Sequence, residues 1–431
     1  MSLTKTASLA RRLLFQALES FTGGGLEIIS GDRTWEFGDR SAPLQATVAV
    51  HDERFFQRAV FGGDVGMGES WMDGDWSSPS LVAVVRLAIR NLAPLENRNR
   101  LLSALSRTFD IVRHKLRRNS ITGSRRNISA HYDLSNDFFR LFLDRTMMYS
   151  CAYYDTAHDS LETAQLQKLD RICRKLRLGP SDEVLEIGTG WGGFAEHASR
   201  HYGCRVTTTT ISREQHAFAQ QRFAGNPNIE LLLQDYRGLR GAFDKIVSIE
   251  MFEAVGLKYY DDFFRSCDHL LKPGGSMCLQ TITMNEQTFP NFRRRTDFIQ
   301  KYIFPGAELA SVSEILRSLA RATDLALFHA EDIGTHYART LAAWRERFHA
   351  ALPAVRNLGF DDRFIRMWDY YLAYCEGAFL ERHIGDFQLV LTKNHNPGVL
   401  YQEPWAVEQP SESAAVTRDN LGMIGKNCHL R

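Results

Sequence analysis

The sequence predicts an α/β fold: a doubly wound, mostly parallel sheet preceded by a smaller N-terminal α+β domain. Three observations carry this. Between residues 126 and 395, short β-rich runs alternate with amphipathic helical stretches, as strands joined by crossover helices do. A glycine-rich turn, Gly188-Thr189-Gly190-Trp191-Gly192-Gly193, follows the first of these strands and opens a helix. Upstream, residues 1–125 mix helically spaced apolar residues with isolated β-prone runs, such as residues 46–50, the pattern of a small α+β unit.

The elements follow in order. Residues 166–176 have the apolar period of a helix, residues 183–187 read as a buried strand, 194–201 as a helix and 205–210 as a second strand. Further strands are expected at 229–233, 245–249 and 276–282. A helix over 259–271 is expected to stop at Lys272-Pro273-Gly274-Gly275. Residues 396–431, rich in Asn, Pro, Ser and Glu, keep no period and read as a flexible C-terminal tail.

Composition limits the function. The chain has 431 residues, with 52 Lys+Arg against 51 Asp+Glu, and is 44% hydrophobic, 24% charged and 11% aromatic. That is a globular composition, and its neutrality argues against a nucleic-acid coat or an acidic solvating chain. The longest apolar runs, residues 81–85 and 389–391, fall short of the roughly 18–20 residues a membrane span needs. The N-terminus lacks the apolar stretch and cleavage site of an export signal. Seven cysteines (Cys151, Cys173, Cys204, Cys267, Cys278, Cys375 and Cys428) include no CxxC pair. This argues against a disulfide framework, a zinc ribbon or another metal site, and for a reducing cytoplasm. Neutrality conceals a positive block: Arg98, Arg100, Arg107, Arg113, Lys115, Arg117, Arg118, Arg125 and Arg126 face only Glu96 and Asp110.

Glycines in the 188–193 turn allow a tight bend and let a ligand approach the main chain. A tight turn without a ligand is the bland alternative. A nicotinamide site should place an acid at the end of the second strand, where Thr207-Thr208-Thr209-Thr210-Ile211-Ser212 has none, and a P-loop should end in Gly-Lys-Ser/Thr. Instead, Glu186 precedes the turn and Gln234-Asp235-Tyr236 follows the third strand. Glu186 can hold an ammonium group and Asp235 can accept from an exocyclic adenine amine. The pair suits S-adenosylmethionine.

At this point the sequence resembles the cyclopropane-fatty-acyl-phospholipid synthases, with the mycolic-acid cyclopropane synthases and related fatty-acid methyltransferases. The resemblance spans residues 55–393. It rests on GESWMDG at 68–74, HYDLSNDFF at 131–139, MYSCAYY at 148–154, LEIGTGWG at 185–192, TISREQ at 210–215 and MFEAVG at 251–256. It implies a Rossmann-like class I methyltransferase domain over 126–395. It also implies S-adenosylmethionine contacts at Tyr149, Ser150, Glu186, Gly188, Thr189, Gly190, Gly192, Thr210, Ser212, Gln215, Gln234, Asp235 and Tyr236.

The family methylates a cis double bond of a lipid acyl chain, leaving a cation that loses a proton and closes a three-membered ring. A hydride shift first would give a methylene or methyl-branched chain. An alkene is a weak nucleophile, so alignment and exclusion of water carry the step. Aromatic faces stabilise a nearby cation by about 0.5–2 kcal/mol each; the candidates are Tyr153, Tyr154, Tyr302, Phe304, Tyr337 and Trp344. The resemblance further implies a bound bicarbonate as base, held by Cys151, Glu253, Ile282 and Tyr337, with Gln280 where the family commonly has histidine. Glutamine can hydrogen-bond an anion but carries neither proton nor charge. Glu253 is expected to orient the anion and Tyr337 to donate to it, with Cys151 as a small packing residue. Cys375 and His131 read as structural.

The expected substrate is an unsaturated phospholipid, reached by transient docking from the cytoplasm at the inner face of the membrane; a homodimer is implied by resemblance only. A small-molecule methyltransferase and a lipid-binding protein with a vestigial loop are the other readings. An exposed Lys or Arg near an anionic surface is worth about 1 kcal/mol. Charge reversal at Arg117, Arg118, Arg125 and Arg126 should therefore weaken binding to anionic vesicles in a co-sedimentation assay; unchanged binding would reduce the block to a linker.

Overall fold

The computed structural model describes residues 3–92, 135–293 and 295–393. The expected domain boundary near residue 125, the basic block from Arg98 to Arg126, His131 and the 396–431 tail lie outside them.

Two sheets organise the described residues. The first comprises β1 (Gly25–Ser30), β2 (Arg33–Gly38), β3 (Gln45–Val50) and β4 (Trp76–Ser77), in the order β2-β1-β3-β4. Around it lie α1 (Leu3–Leu18), α2 (Arg54–Phe61), α3 (Gly63–Met72) and α4 (Leu81–Arg90). β3 alternates buried and half-buried residues, as a strand with one face on a core does.

The second sheet has seven strands: β5 (Glu183–Ile187), β6 (Arg205–Thr210), β7 (Ile229–Leu233), β8 (Phe243–Ile249), β9 (Leu271–Met284), β10 (Leu325–Asp332) and β11 (Ile384–Lys393), in the order β10-β11-β9-β8-β5-β6-β7. β5 pairs in parallel with both β6 and β8, and β11 runs antiparallel to its neighbours β9 and β10. From β5 the chain winds outward through β6 and β7, then returns to lay β8 on the opposite edge of β5. That reversal opens a crevice beyond the carboxyl ends of β5 and β8, where ligands settle in sheets of this kind. Its flanking helices are α5 (Asn136–Arg140), α6 (Leu161–Leu176), α7 (Gly193–Tyr202), α8 (Arg213–Arg222), α9 (Tyr260–Leu270), α10 (Val312–Ala322), α11 (Gly334–Ala350) and α12 (Asp362–Leu380).

The expected strands at 183–187, 205–210 and 229–233 form with those bounds. β9 begins earlier than expected: Leu271 pairs with Phe243 across a register shift, so Lys272-Pro273-Gly274-Gly275 lies within its bounds. β10 escapes the periodicity because it is an edge strand with a bulge between Leu327 and His329, and much of it is exposed.

Packing explains two of the motifs. In GESWMDG, a Cβ on Gly68 would stand 2.3 Å from the Phe298 ring, so only glycine allows α3 this close. Trp71 donates its indole N–H to the Arg366 carbonyl at 3.0 Å and lies under the Arg366 guanidinium. In the SNDFF segment, Phe138 and Phe139 are fully buried and Asn136 accepts from the Trp191 indole at 2.7 Å, tying α5 to the glycine turn. Phe138 meets Phe142, Phe348, Phe360, Phe364 and Trp368 in mostly edge-on contacts. Truncating a buried Phe costs about 3–5 kcal/mol. Phe138→Ala should lower stability by about that amount in denaturant unfolding; a loss under about 1 kcal/mol would show that the cluster collapses around the gap.

Candidate active site

The crevice at the carboxyl ends of β5 and β8 opens into a cavity of about 1340 Å³. Gly188 (φ 105°), Gly190 (φ 52°) and Gly192 (φ 88°) all take left-handed backbone conformations, which cost glycine least. A Cβ on Gly190 would meet nothing within 4 Å, and one on Gly188 would press on Met251 at 3.0 Å. The turn is thus a cradle with space above it, and Met251, just after β8, abuts it.

Most of the expected cofactor residues gather there. Tyr149, Ser150, Glu186, Gly188, Thr189, Gly190, Thr210, Gln215, Gln234, Asp235 and Tyr236 line the cavity. Gly192 and Ser212 stand behind its wall. Gly192 is the N-cap of α7 and packs on Phe223, while Ser212 caps α8 by accepting from the Gln215 N–H at 3.3 Å. Asp235 holds Arg237 with both carboxylate oxygens, at 2.8 and 2.7 Å. Glu186 is 2% exposed, and among the described residues its carboxyl accepts one side-chain hydrogen bond, from the Thr208 hydroxyl at 2.5 Å. Burial pushes its carboxyl up to about 8, so it is neutral at pH 7 and gains its charge when a cation arrives.

The residues expected around an anion divide into two sets. The Cys151 N–H (2.7 Å), the Gln280 side-chain amide (2.8 Å) and the Tyr337 hydroxyl (2.6 Å) all donate to Glu250. The Ile282 N–H (2.6 Å) and the Thr281 hydroxyl (2.9 Å) donate to one oxygen of Glu253. The other, Oε2, is buried with no hydrogen-bond partner among the described residues. Burial, then the charge of Glu250, raises Glu253 to about 7. Tyr337 therefore faces Glu250, and Glu253 is held by β9, through the Thr281 hydroxyl and the Ile282 main chain. Glu250, Glu253, Ile282 and Tyr337 line the cavity. Cys151 and Gln280, both 0% exposed, support it from behind. The Cys151 thiol contacts the Ala152 and Ile333 carbonyls, and burial drives it well above the usual thiol range, so it packs rather than attacks.

Gln280 owes its orientation to the sheet. Glu331 on β10, Gln388 on β11 and Gln280 on β9 are register partners in one row, and Ile249, just before Glu250, pairs with Gln280. Lys175 reaches this row from α6, pairing with Glu331 and donating to Gln388 Oε1 at 2.7 Å. An ammonium can only donate. The Gln388 amide must then donate onward to Gln280 Oε1 (3.0 Å), and Gln280 Nε2 must donate to Glu250 and to Asp386 (3.0 Å). Burial, then the charges of Glu250 and Glu253, raise Asp386 well above the carboxylate range, which favours its protonated form. A second fully buried lysine on the same face of α6, Lys168, donates to Ser150 at 2.7 Å and balances Glu250 electrostatically. Glu250, with three donors on its carboxyl and the Lys168 charge near it, is the member of the group whose ionised form is best supported.

Sequence reasoning missed Glu250, Asp386, Gln388, Lys168 and Lys175. The available signal was an acid directly after a strand at the sheet's reversal point, three residues before Glu253. Of the aromatic candidates, Phe304 and Tyr337 line the cavity. Tyr153 and Tyr154 instead stack on His336, Tyr302 bonds Glu69, and Trp344 is core.

Residues 119–389 match the family model of mycolic acid cyclopropane synthetase. The cyclopropane-fatty-acyl-phospholipid synthase of Escherichia coli K12 is 41% identical over 83% of this chain and 90% of its own length. A tuberculostearic acid methyltransferase of Mycobacterium tuberculosis is 38% identical over 78% of this chain and 80% of its own. Among solved structures, the mycolic acid cyclopropane synthase CmaA1, complexed with SAH and CTAB, superposes with a TM-score of 0.59. It is 33% identical and covers 62% of this chain and 98% of its own. With its sheet order, glycine cradle and this similarity over most of its length, the chain belongs to the mycolic acid cyclopropane synthetase family.

Proposed function

We propose that this chain is an S-adenosylmethionine-dependent methyltransferase that adds a methylene carbon to the cis double bond of unsaturated acyl chains on membrane phospholipid, giving a cyclopropane fatty acid. The observation that carries the reading is the continuity of the cavity. The glycine cradle, Glu250 and Glu253 share one space with apolar side chains from both halves of the structure: Leu26, Val48 and Phe55 from the first sheet and α2, and Leu341, Tyr371 and Phe379 from α11 and α12.

When bound, S-adenosylmethionine supplies an electrophilic methyl group. Glu186 would hold its ammonium, the 188–190 turn would receive its main body, and Gln234-Asp235-Tyr236 would border its base. The apolar walls would lay the acyl chain along the cavity and keep water from the cation. Phe304 and Tyr337 would turn aromatic surface toward it. A bicarbonate would have to displace Glu250 from the donors at Cys151, Gln280 and Tyr337 to be held there.

No helix among the described residues is long and apolar enough to cross a membrane. The reading places the chain in the cytoplasm, docking at the inner membrane face through its basic block, with a homodimer as part of the same expectation. The tuberculostearic acid methyltransferase relative favours a second outcome of the same transfer, a methylene or methyl-branched chain.

Mass spectrometry of lipids from a host expressing the chain should show monounsaturated acyl chains heavier by one methylene, with the new carbon in a ring. A branch would select the second outcome, and unchanged lipids would overturn both. Glu186 gives an independent test. Below its pKa of about 8 it is protonated, and an ammonium ligand favours its ionised form, so binding must release a proton. Calorimetry of S-adenosylhomocysteine binding at pH 7, in buffers of different ionisation enthalpy, should show that release. It should fade above pH ~9 and be lost in Glu186→Gln; equal heats in all buffers would remove Glu186 from this role.

A further inference from the structure

We infer that the Glu250 carboxylate is the proton acceptor of the reaction, a built-in base occupying the place that a bound bicarbonate would otherwise fill. The inference rests on the alkene-methylation reading and deepens it.

Three observations carry it. The first is convergence: the Cys151 N–H, Gln280 amide and Tyr337 hydroxyl, donors from three separate parts of the chain, all end on this one side chain at 2.6–2.8 Å. A carboxylate and a bicarbonate present the same planar O–C–O⁻ edge, so one set of donors serves either but not both. The second is backbone strain. Glu250 has φ 48°, a left-handed conformation in which a branched-off side chain is disfavoured and glycine is at ease. A side chain kept there against its backbone preference is kept for its head group. The third is position. Glu250 directly follows β8 at the sheet's reversal point, lines the cavity, and is followed by Met251, which abuts the glycine cradle. Burial raises its carboxyl, opposed by hydrogen bonds from Tyr337 and Cys151 and by the Lys168 charge; a carboxylate raised above its ordinary range is a stronger base.

The alkene π pair forms a bond to the methyl carbon while the sulfur–carbon bond breaks, its electrons remaining on sulfur as a neutral thioether. A C–H bond of the transferred methyl then breaks. Its proton goes to a Glu250 oxygen and its electron pair closes the ring onto the cation. Glu250, now a neutral acid, returns the proton to solvent between turnovers.

The test uses the purified full-length chain, vesicles of monounsaturated phospholipid and buffer stripped of carbon dioxide. Wild-type turnover should be the same with and without added bicarbonate, and 13C-bicarbonate NMR should detect no binding to it. Glu250→Gly relaxes the backbone and opens the anion's space. It should lose about 10²–10⁴-fold in turnover, bind 13C-bicarbonate, and recover at least about tenfold when bicarbonate is added. Glu250→Gln fills the same space and should lose turnover without recovery, with S-adenosylhomocysteine affinity unchanged as the check on folding. Wild-type turnover that falls without bicarbonate and returns with it, or a Gln variant as active as wild type, would overturn the inference. If wild type modifies no alkene, the alkene-methylation reading fails. The NMR arm still decides whether Glu250 fills the anion's place: it does if only the Gly variant binds bicarbonate, and does not if wild type binds it too.

Discussion

A buried ammonium can only donate hydrogen bonds, and this one-way chemistry fixes the polarity of the site. Lys175 is 0% exposed and faces Gln388; from there every amide between β10 and β8 has a single consistent orientation. The end of the chain is Gln280, both of whose protons point at carboxyl groups. An unsatisfied member of such a network would cost about 1–3 kcal/mol, so the row is held as a unit. Of the two carboxyls it reaches, Glu250 has two further donors and the nearby Lys168 charge, whereas Asp386 Oδ1 has no hydrogen-bond partner among the described residues. That asymmetry favours the charge on Glu250 over a charge on Asp386.

Magnitudes explain how Glu250 tolerates its backbone. A left-handed residue with a Cβ costs about 1–2 kcal/mol, while each hydrogen bond to a charged group contributes about 1.5–3 kcal/mol. Three such bonds outweigh the strain. The glycine turn meets the same backbone requirement differently: Gly188 and Gly190 have no side chain to hold, and a Cβ would only intrude on Met251 or on the space above the cradle. Thus two neighbouring strand ends, β5 and β8, both leave the sheet through left-handed residues. One leaves open space above the cradle, the other turns a carboxylate into the cavity.

Much of the fold was legible because its signals are local. β5, β6 and β7 are short runs bounded by polar turns, and the glycine turn announces itself within six residues. Glu186 and the Gln234-Asp235-Tyr236 segment follow from their places at strand ends. The partners of Glu250 were not legible, because they lie 99, 87 and 30 positions away and share no period with it. Lys168 and Lys175 were hidden differently. Seven residues apart, they lie on the inner face of an otherwise amphipathic helix, where sequence patterning assigns lysine to solvent. The glutamine at 280 stands where the family commonly has histidine, but its meaning depends on Glu250. A neutral amide that donates to a resident carboxylate needs no charge of its own.

The central claim is that a residue of this chain removes a proton from the transferred methyl group. The most direct measurement uses S-adenosylmethionine carrying a trideuterated methyl, incubated with the purified chain and monounsaturated phospholipid vesicles in bicarbonate-free buffer. The account predicts a product whose new carbon is bonded to both former alkene carbons and keeps two of the three deuteriums. A product that keeps all three, or transfer that requires added bicarbonate, would contradict it.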